Sequence, residues 1–119
     1  MKQTEHEEQK KLFQWAKMQS SKHPQLSMMF AIPNGGQRNI VTATKLKAEG
    51  VKSGVLDIFL AFPSKTEHGL FIEMKSAKGK LSENQREWIG ALSSSGYRCA
   101  ICYSFSEAQQ VIIKYLDIS

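Results

Sequence analysis

Apolar residues along the chain fall into short runs of differing period, and the period sorts them into elements. Over residues 4–18 the apolar positions Leu12, Phe13, Trp15 and Ala16 have helical spacing, with Thr4 as the N-cap. Ser20-Ser21-Lys22-His23-Pro24 ends that helix. Residues 26–32 read as a short strand, and Pro33-Asn34-Gly35-Gly36 as a loop. Residues 40–49 carry a helical pattern stopped by Gly50. Two strand-like segments follow, 55–62 and 70–75, joined by a connection of hairpin length. Ser82-x-x-Gln85 is a capping box that opens a helix through Ile89 and Leu92, closed by Gly96. Residues 97–103 are the next strand. Ser104-x-x-Glu107 is a second capping box, and Ala108, Val111, Ile112, Tyr115 and Leu116 share one face of the helix it opens. The predicted order is α-β-α-β-β-α-β-α. Without repeat or linker, it reads as a single α/β domain over 1–119, a mixed sheet flanked by helices.

Composition narrows the class. At 119 residues the chain is one domain's worth, and 41% hydrophobic with 23% charged residues argues against intrinsic disorder. No apolar run approaches the roughly 20 residues that span a bilayer. The charged stretch Thr4-Glu5-His6-Glu7-Glu8 does not read as a secretory leader, so a cytoplasmic location is expected. Sixteen Lys and Arg against eleven Asp and Glu give +5, an excess that suits a polyanion such as nucleic acid and also serves plain solubility. Cys99 and Cys102 form a C-x-x-C, but on a strand, residues three apart point to opposite faces. Both are expected to be small buried hydrophobes, which disfavours a thiol oxidoreductase. No second Cys/His pair completes a zinc site, and His6, His23 and His68 share no ligand spacing.

The acidic residues inside the strands are oddly placed. Asp57 interrupts the apolar Gly54-Val55-Leu56-Asp57-Ile58-Phe59-Leu60, and Glu73 and Lys75 end Leu70-Phe71-Ile72-Glu73-Met74-Lys75. Period two puts Glu73 and Lys75 on one face, with Met74 on the other. If the strands pair around a turn near residue 66, Asp57 and Glu73 become opposite or diagonal neighbours. Two carboxylates and a lysine then converge at the strand ends. Such a cluster is costly unless a divalent cation relieves it, and Mg²⁺ takes one or two carboxylates with waters and phosphate. The Met74 backbone carbonyl offers a further oxygen, and Lys75 can orient or deprotonate an attacking water. A strand-edge charge beside a solvated surface pair is the plain alternative.

At these residues the chain resembles the PD-(D/E)xK nuclease signature, and more narrowly the VRR-NUC domain in its small stand-alone form from phages and bacteria. The matching residues are Gly54-Val55-Leu56-Asp57 and Phe71-Ile72-Glu73-Met74-Lys75, with Glu5 to Gln9, Pro33-Asn34-Gly35-Gly36, Gly50 to Gly54, Gly79-Lys80-Leu81-Ser82-x-x-Gln85-x-x-Trp88 and Gly96-Tyr97. Leu56 stands where the motif usually has Pro, a position that is not a ligand.

The resemblance implies a restriction-endonuclease-like fold and a Mg²⁺- or Mn²⁺-dependent DNA endonuclease, structure-selective for branched DNA such as four-way junctions. It implies Asp57 and Glu73 as metal ligands, Lys75 on the water, Gln85 near the site and a carboxylate on the first helix. On a helical wheel Glu5 falls between Leu12 and Ala16, and Glu8 between Trp15 and Leu12. Glu5 is the first choice and Glu8 the alternative; either can equally complement the helix dipole. Gln85 has a second job open to it, the reciprocal bond of the capping box. Asn34, Gly35, Gly36, Gln37 and Arg38 suit a phosphate contact or a simple turn. Lys45, Lys47, Lys52, Lys78 and Lys80 flank the site in sequence and suit a DNA-tracking patch or a solvated face. Cutting a two-fold substrate needs two sites, so a homodimer is expected, with no small-molecule cofactor. The competing class is a non-catalytic nucleic-acid-binding or assembly module on the same fold.

Overall fold

The computed structural model describes residues 4–33 and 40–119. Helix α1 (Glu5–Gln19) begins at Thr4, whose hydroxyl accepts the Glu7 amide at 3.1 Å, and buries Leu12 and Ala16. The next segment departs from the sequence expectation. Pro24–Met28 is a 3-10 turn, and only Met29–Ala31 forms strand β1. Pro24 presets the turn's φ, and the buried residues Leu26 and Met29 stand three apart, the 3-10 period rather than the strand period.

Helix α2 (Ile40–Ala48) is followed by Gly50 at φ +99°. Strand β2 (Ile58–Leu60) is shorter than its apolar run. Asp57 lies just ahead of it, although the Asp57 carbonyl still accepts the Ile32 amide at 2.7 Å. Strand β3 (Leu70–Met74) pairs antiparallel with β2, Ile58 opposite Ile72 and Leu60 opposite Leu70. Helix α3 (Glu83–Ser94) carries the chain back to β4 (Arg98–Cys102), which lies parallel to β3 with Met74 opposite Cys102. Helix α4 (Phe105–Leu116) completes the order, and the sheet runs β1-β2-β3-β4. At α4 the Ser104 hydroxyl caps Glu107 as expected, but the Glu107 carboxylate reaches the Tyr103 amide at 3.3 Å.

One face of the sheet is the core. Ile58, Leu60, Leu70, Ile72, Met74 and Cys102 pack there against Leu12 and Ala16 of α1 and Ala108 and Ile112 of α4. Leu56, at the motif's proline position, is fully buried. The other face carries a row of rings, Phe30, Phe59, Phe71 and Tyr97, with α3 packed against β4. Cys102 points to the core and Cys99 to the α3 side, so both thiols are free, as the strand period required, but Cys99 is only half-buried rather than buried as expected. Burial raises both, Cys102 to about 11. No helix among the described residues is long and apolar enough to cross a membrane.

Candidate active site

Period two sends Met74 into the core and turns Glu73 and Lys75 to the other face. Extending the β2–β3 register by one residue sets Asp57 directly opposite Glu73. The hairpin is therefore centred near residue 65, one position from the sequence estimate. Asp57 Oδ2 accepts the Met74 amide at 2.9 Å, so the strand carrying the second carboxylate also holds the first.

Glu73 is 3% exposed, the one buried charged side chain among the described residues. Its Oε2 accepts from Gln85 Nε2 at 2.8 Å and lies 3.4 Å from Lys75 Nζ. Its Oε1 is buried with no hydrogen-bond partner among the described residues. Burial, then the Asp57 charge, pushes the Glu73 carboxyl up to about 7 against the pull of Lys75 and Gln85. Asp57 is raised as well, by burial and by Glu5, against the Met74 amide.

Gln85 fills both roles left open by the sequence. Its Oε1 accepts the Ser82 amide at 2.9 Å, closing the capping box, while its Nε2 holds Glu73. The first turn of α3 is itself seated on the loop before β2. Gly54, at φ +88°, lies so close that a Cβ there would stand 2.6 Å from Asn84 Cβ and 3.0 Å from the Gln85 amide.

The two helix carboxylates separate. Glu5 Oε1 accepts the amide of Ser76, next to Lys75, at 2.7 Å. Glu8 Oε1 instead accepts the Phe105 amide at 3.0 Å, the first residue of α4, and its other oxygen has Lys11 Nζ at 3.7 Å. Glu8 thus clasps α1 to the N-terminus of α4, where the helix dipole favours an anion. Among the described residues no three acidic, His or Cys side chains form a ready-made metal cage. Glu5 stands beside the Asp57–Glu73 pair rather than completing one. A groove of about 410 Å³ opens here, lined by Glu5, Glu8, Lys75, Ser76, Lys78 and Tyr103.

A paired carboxylate couple with an adjoining lysine at the ends of two central strands is chemistry shared by many proteins. The arrangement along the whole chain is more selective. The family model of the VRR-NUC domain matches residues 2–106. The chain belongs to the VRR-NUC family.

A solved structure of a VRR_NUC domain protein superposes with a TM-score of 0.83 at 27% identity, covering 100% of this chain and 93% of the other. No curated protein matches the chain. The VRR-NUC assignment makes this a nuclease-like domain, and the mixed sheet with its helices is the fold that the sequence pattern predicts.

Of the expected DNA-contacting residues, Lys52, Lys78 and Lys80 are exposed, and Lys78 lines the groove. Asn34, Gly35, Gly36, Gln37 and Arg38 lie outside the described residues. Two features of this candidate site carry no signal in the sequence alone. The Ser76 amide under Glu5 leaves no mark in residue type. Tyr103 beside Lys75 requires knowing that β4 pairs with β3 in parallel.

Proposed function

We propose that this VRR-NUC domain is a divalent-metal-dependent DNA endonuclease acting on branched or junction DNA. The observation that carries the reading is the unpartnered Oε1 of Glu73, a buried carboxyl oxygen beside Asp57, which suits a hard cation. Asp57 and Glu73 would hold Mg²⁺ or Mn²⁺, with the Met74 carbonyl as a further oxygen. The bound cation supplies Lewis-acid polarisation of the scissile phosphate.

The chain's own residues do the rest. The Met74 amide fixes Asp57, and Gln85 fixes Glu73 through Oε2, leaving Oε1 available. Lys75 Nζ, 3.4 Å from Glu73, orients the attacking water through its ammonium protons. Glu5, which lines the groove, accepts the Ser76 amide. The +5 charge and exposed Lys52, Lys78 and Lys80 favour the phosphate backbone. Two-fold junctions are cut symmetrically by a C2 homodimer, each protomer presenting one site.

The test is single-turnover cleavage of duplex, flap and four-way-junction DNA in Mg²⁺, beside equilibrium binding in Ca²⁺. Lys75→Arg and Lys75→Ala are both expected to lose at least about 100-fold in rate. Affinity should change by less than about tenfold, because one phosphate contact among several is altered. Arginine keeps the charge but is bulkier and permanently protonated. Near-wild-type cleavage by Lys75→Arg would reduce Lys75 to a basic contact.

A further inference from the structure

Tyr103 follows β4, and the parallel register, which ends at Met74 opposite Cys102, sets Lys75 opposite Tyr103 when extended by one residue. Side chains at paired positions share a face, so Tyr103 stands on the side that carries Lys75. Its backbone is fixed twice, by the Cys102 carbonyl accepting the Lys75 amide at 2.9 Å and by the Glu107 carboxylate on its own amide. Its ring is not. Tyr103 is 46% exposed, and neither ring nor hydroxyl has an aromatic or hydrogen-bond partner among the described residues. Four large hydrophobic side chains are exposed among the described residues, Met18, Met28, Phe30 and Tyr103, and of these Tyr103 alone lines the groove with Lys75, Glu5 and Lys78.

A flat, rigidly based ring in a groove shared with Lys75 and Lys78 has the makings of a nucleobase platform. Base–aromatic stacking accepts every base, because each has a π-face, but it needs a base whose face is free. Bases inside continuous duplex are already stacked on both sides. Resting on the nuclease reading above, we infer that Tyr103 stacks an unpaired nucleobase next to the scissile phosphate. The residue thereby favours DNA with an unpaired or frayed nucleotide at the cut, as at a flap or branch point. Lys78, in the same groove, meets the adjoining phosphate.

The experiment places 2-aminopurine in a flap DNA at the nucleotide on either side of the cut and follows its fluorescence on binding in Ca²⁺. Wild type and Tyr103→Phe should quench the probe at one of the two positions. Tyr103→Ala and Tyr103→Leu should leave it bright and bind this DNA about five- to 100-fold more weakly, the scale of one stacked base. Thermal melting at the wild-type temperature verifies that each variant is folded, as expected for an exposed position. Equal quenching by all four proteins, with wild-type cleavage intact in Mg²⁺, overturns the stacking role and leaves the nuclease reading standing. A wild type that neither binds nor cuts any of the DNAs overturns both.

Discussion

At Glu73 the chain buries a carboxylate with one oxygen bonded to Gln85 and the other bare. Its pKa is raised from 4.5 to about 7, so between those values the folded state holds a proton that the unfolded state releases. Stability from this residue is therefore intact below about pH 4.5 and falls as pH rises toward 7. Without divalent cations, Glu73→Gln should match wild type in chemical denaturation near pH 4 and exceed it by about 1 to 3 kcal/mol at pH 8. The same variant should not cleave DNA. Equal stability at both pH values would contradict the burial cost. Glu5 and Glu8 make a second comparison. Glu8→Ala should lower stability by about 1 to 2 kcal/mol through loss of the α4 clasp, and leave the cleavage rate of the folded protein little changed. Glu5→Ala should reverse that pattern, which denaturation curves read beside single-turnover rates will show.

Among the elements, α3 is the one whose placement the site depends on. Gly50 and Gly54 both have positive φ, but a Cβ at Gly50 meets nothing within 4 Å, whereas one at Gly54 strikes the first turn of α3. Gly50→Ala should cost about 1 kcal/mol of backbone strain and spare catalysis. Gly54→Ala should cost more and slow cleavage at least about tenfold, since Gln85 is displaced from Glu73. Equal rates for the two variants would deny the seat. Local rules made much of this legible. Thr4, Ser82 and Ser104 cap their helices where the sequence places them, because capping depends on residues within one turn. The hairpin register was legible to within one position because a short connection ties its strands. Leu26 was misread because an apolar residue next to a short strand gives no period of its own, and a 3-10 turn buries it as well as a strand would. The choice between Glu5 and Glu8 also needed the structure. The helical wheel turns both inward, but Glu5 is exposed at the Ser76 amide, and Glu8 is half-buried against α4.

For the molecule as a whole, a hollow of about 860 Å³ between the β2–β3 connection and the end of α4 lies at the opposite end of the sheet from the carboxylates. At the carboxylate end, Glu73 Oε1 is buried without a hydrogen-bond partner among the described residues. The bonds around that atom differ greatly in the length of chain they close. Met74 reaches Asp57 across 17 residues and Gln85 reaches Glu73 across 12, whereas Ser76 reaches Glu5 across 71 and Phe105 reaches Glu8 across 97. Short loops close at lower entropic cost, so the carboxylate pair can assemble before either end of the chain arrives. That early step is the one opposed by mutual repulsion of Asp57 and Glu73. A divalent cation present during refolding should therefore accelerate folding itself, rather than act only by slowing unfolding. Stopped-flow refolding with and without Mg²⁺ measures this, and an unchanged folding limb would place the pairing after the barrier. The clustered charge then has a kinetic meaning: the hairpin that brings Asp57 opposite Glu73 is the step that a cation should hasten.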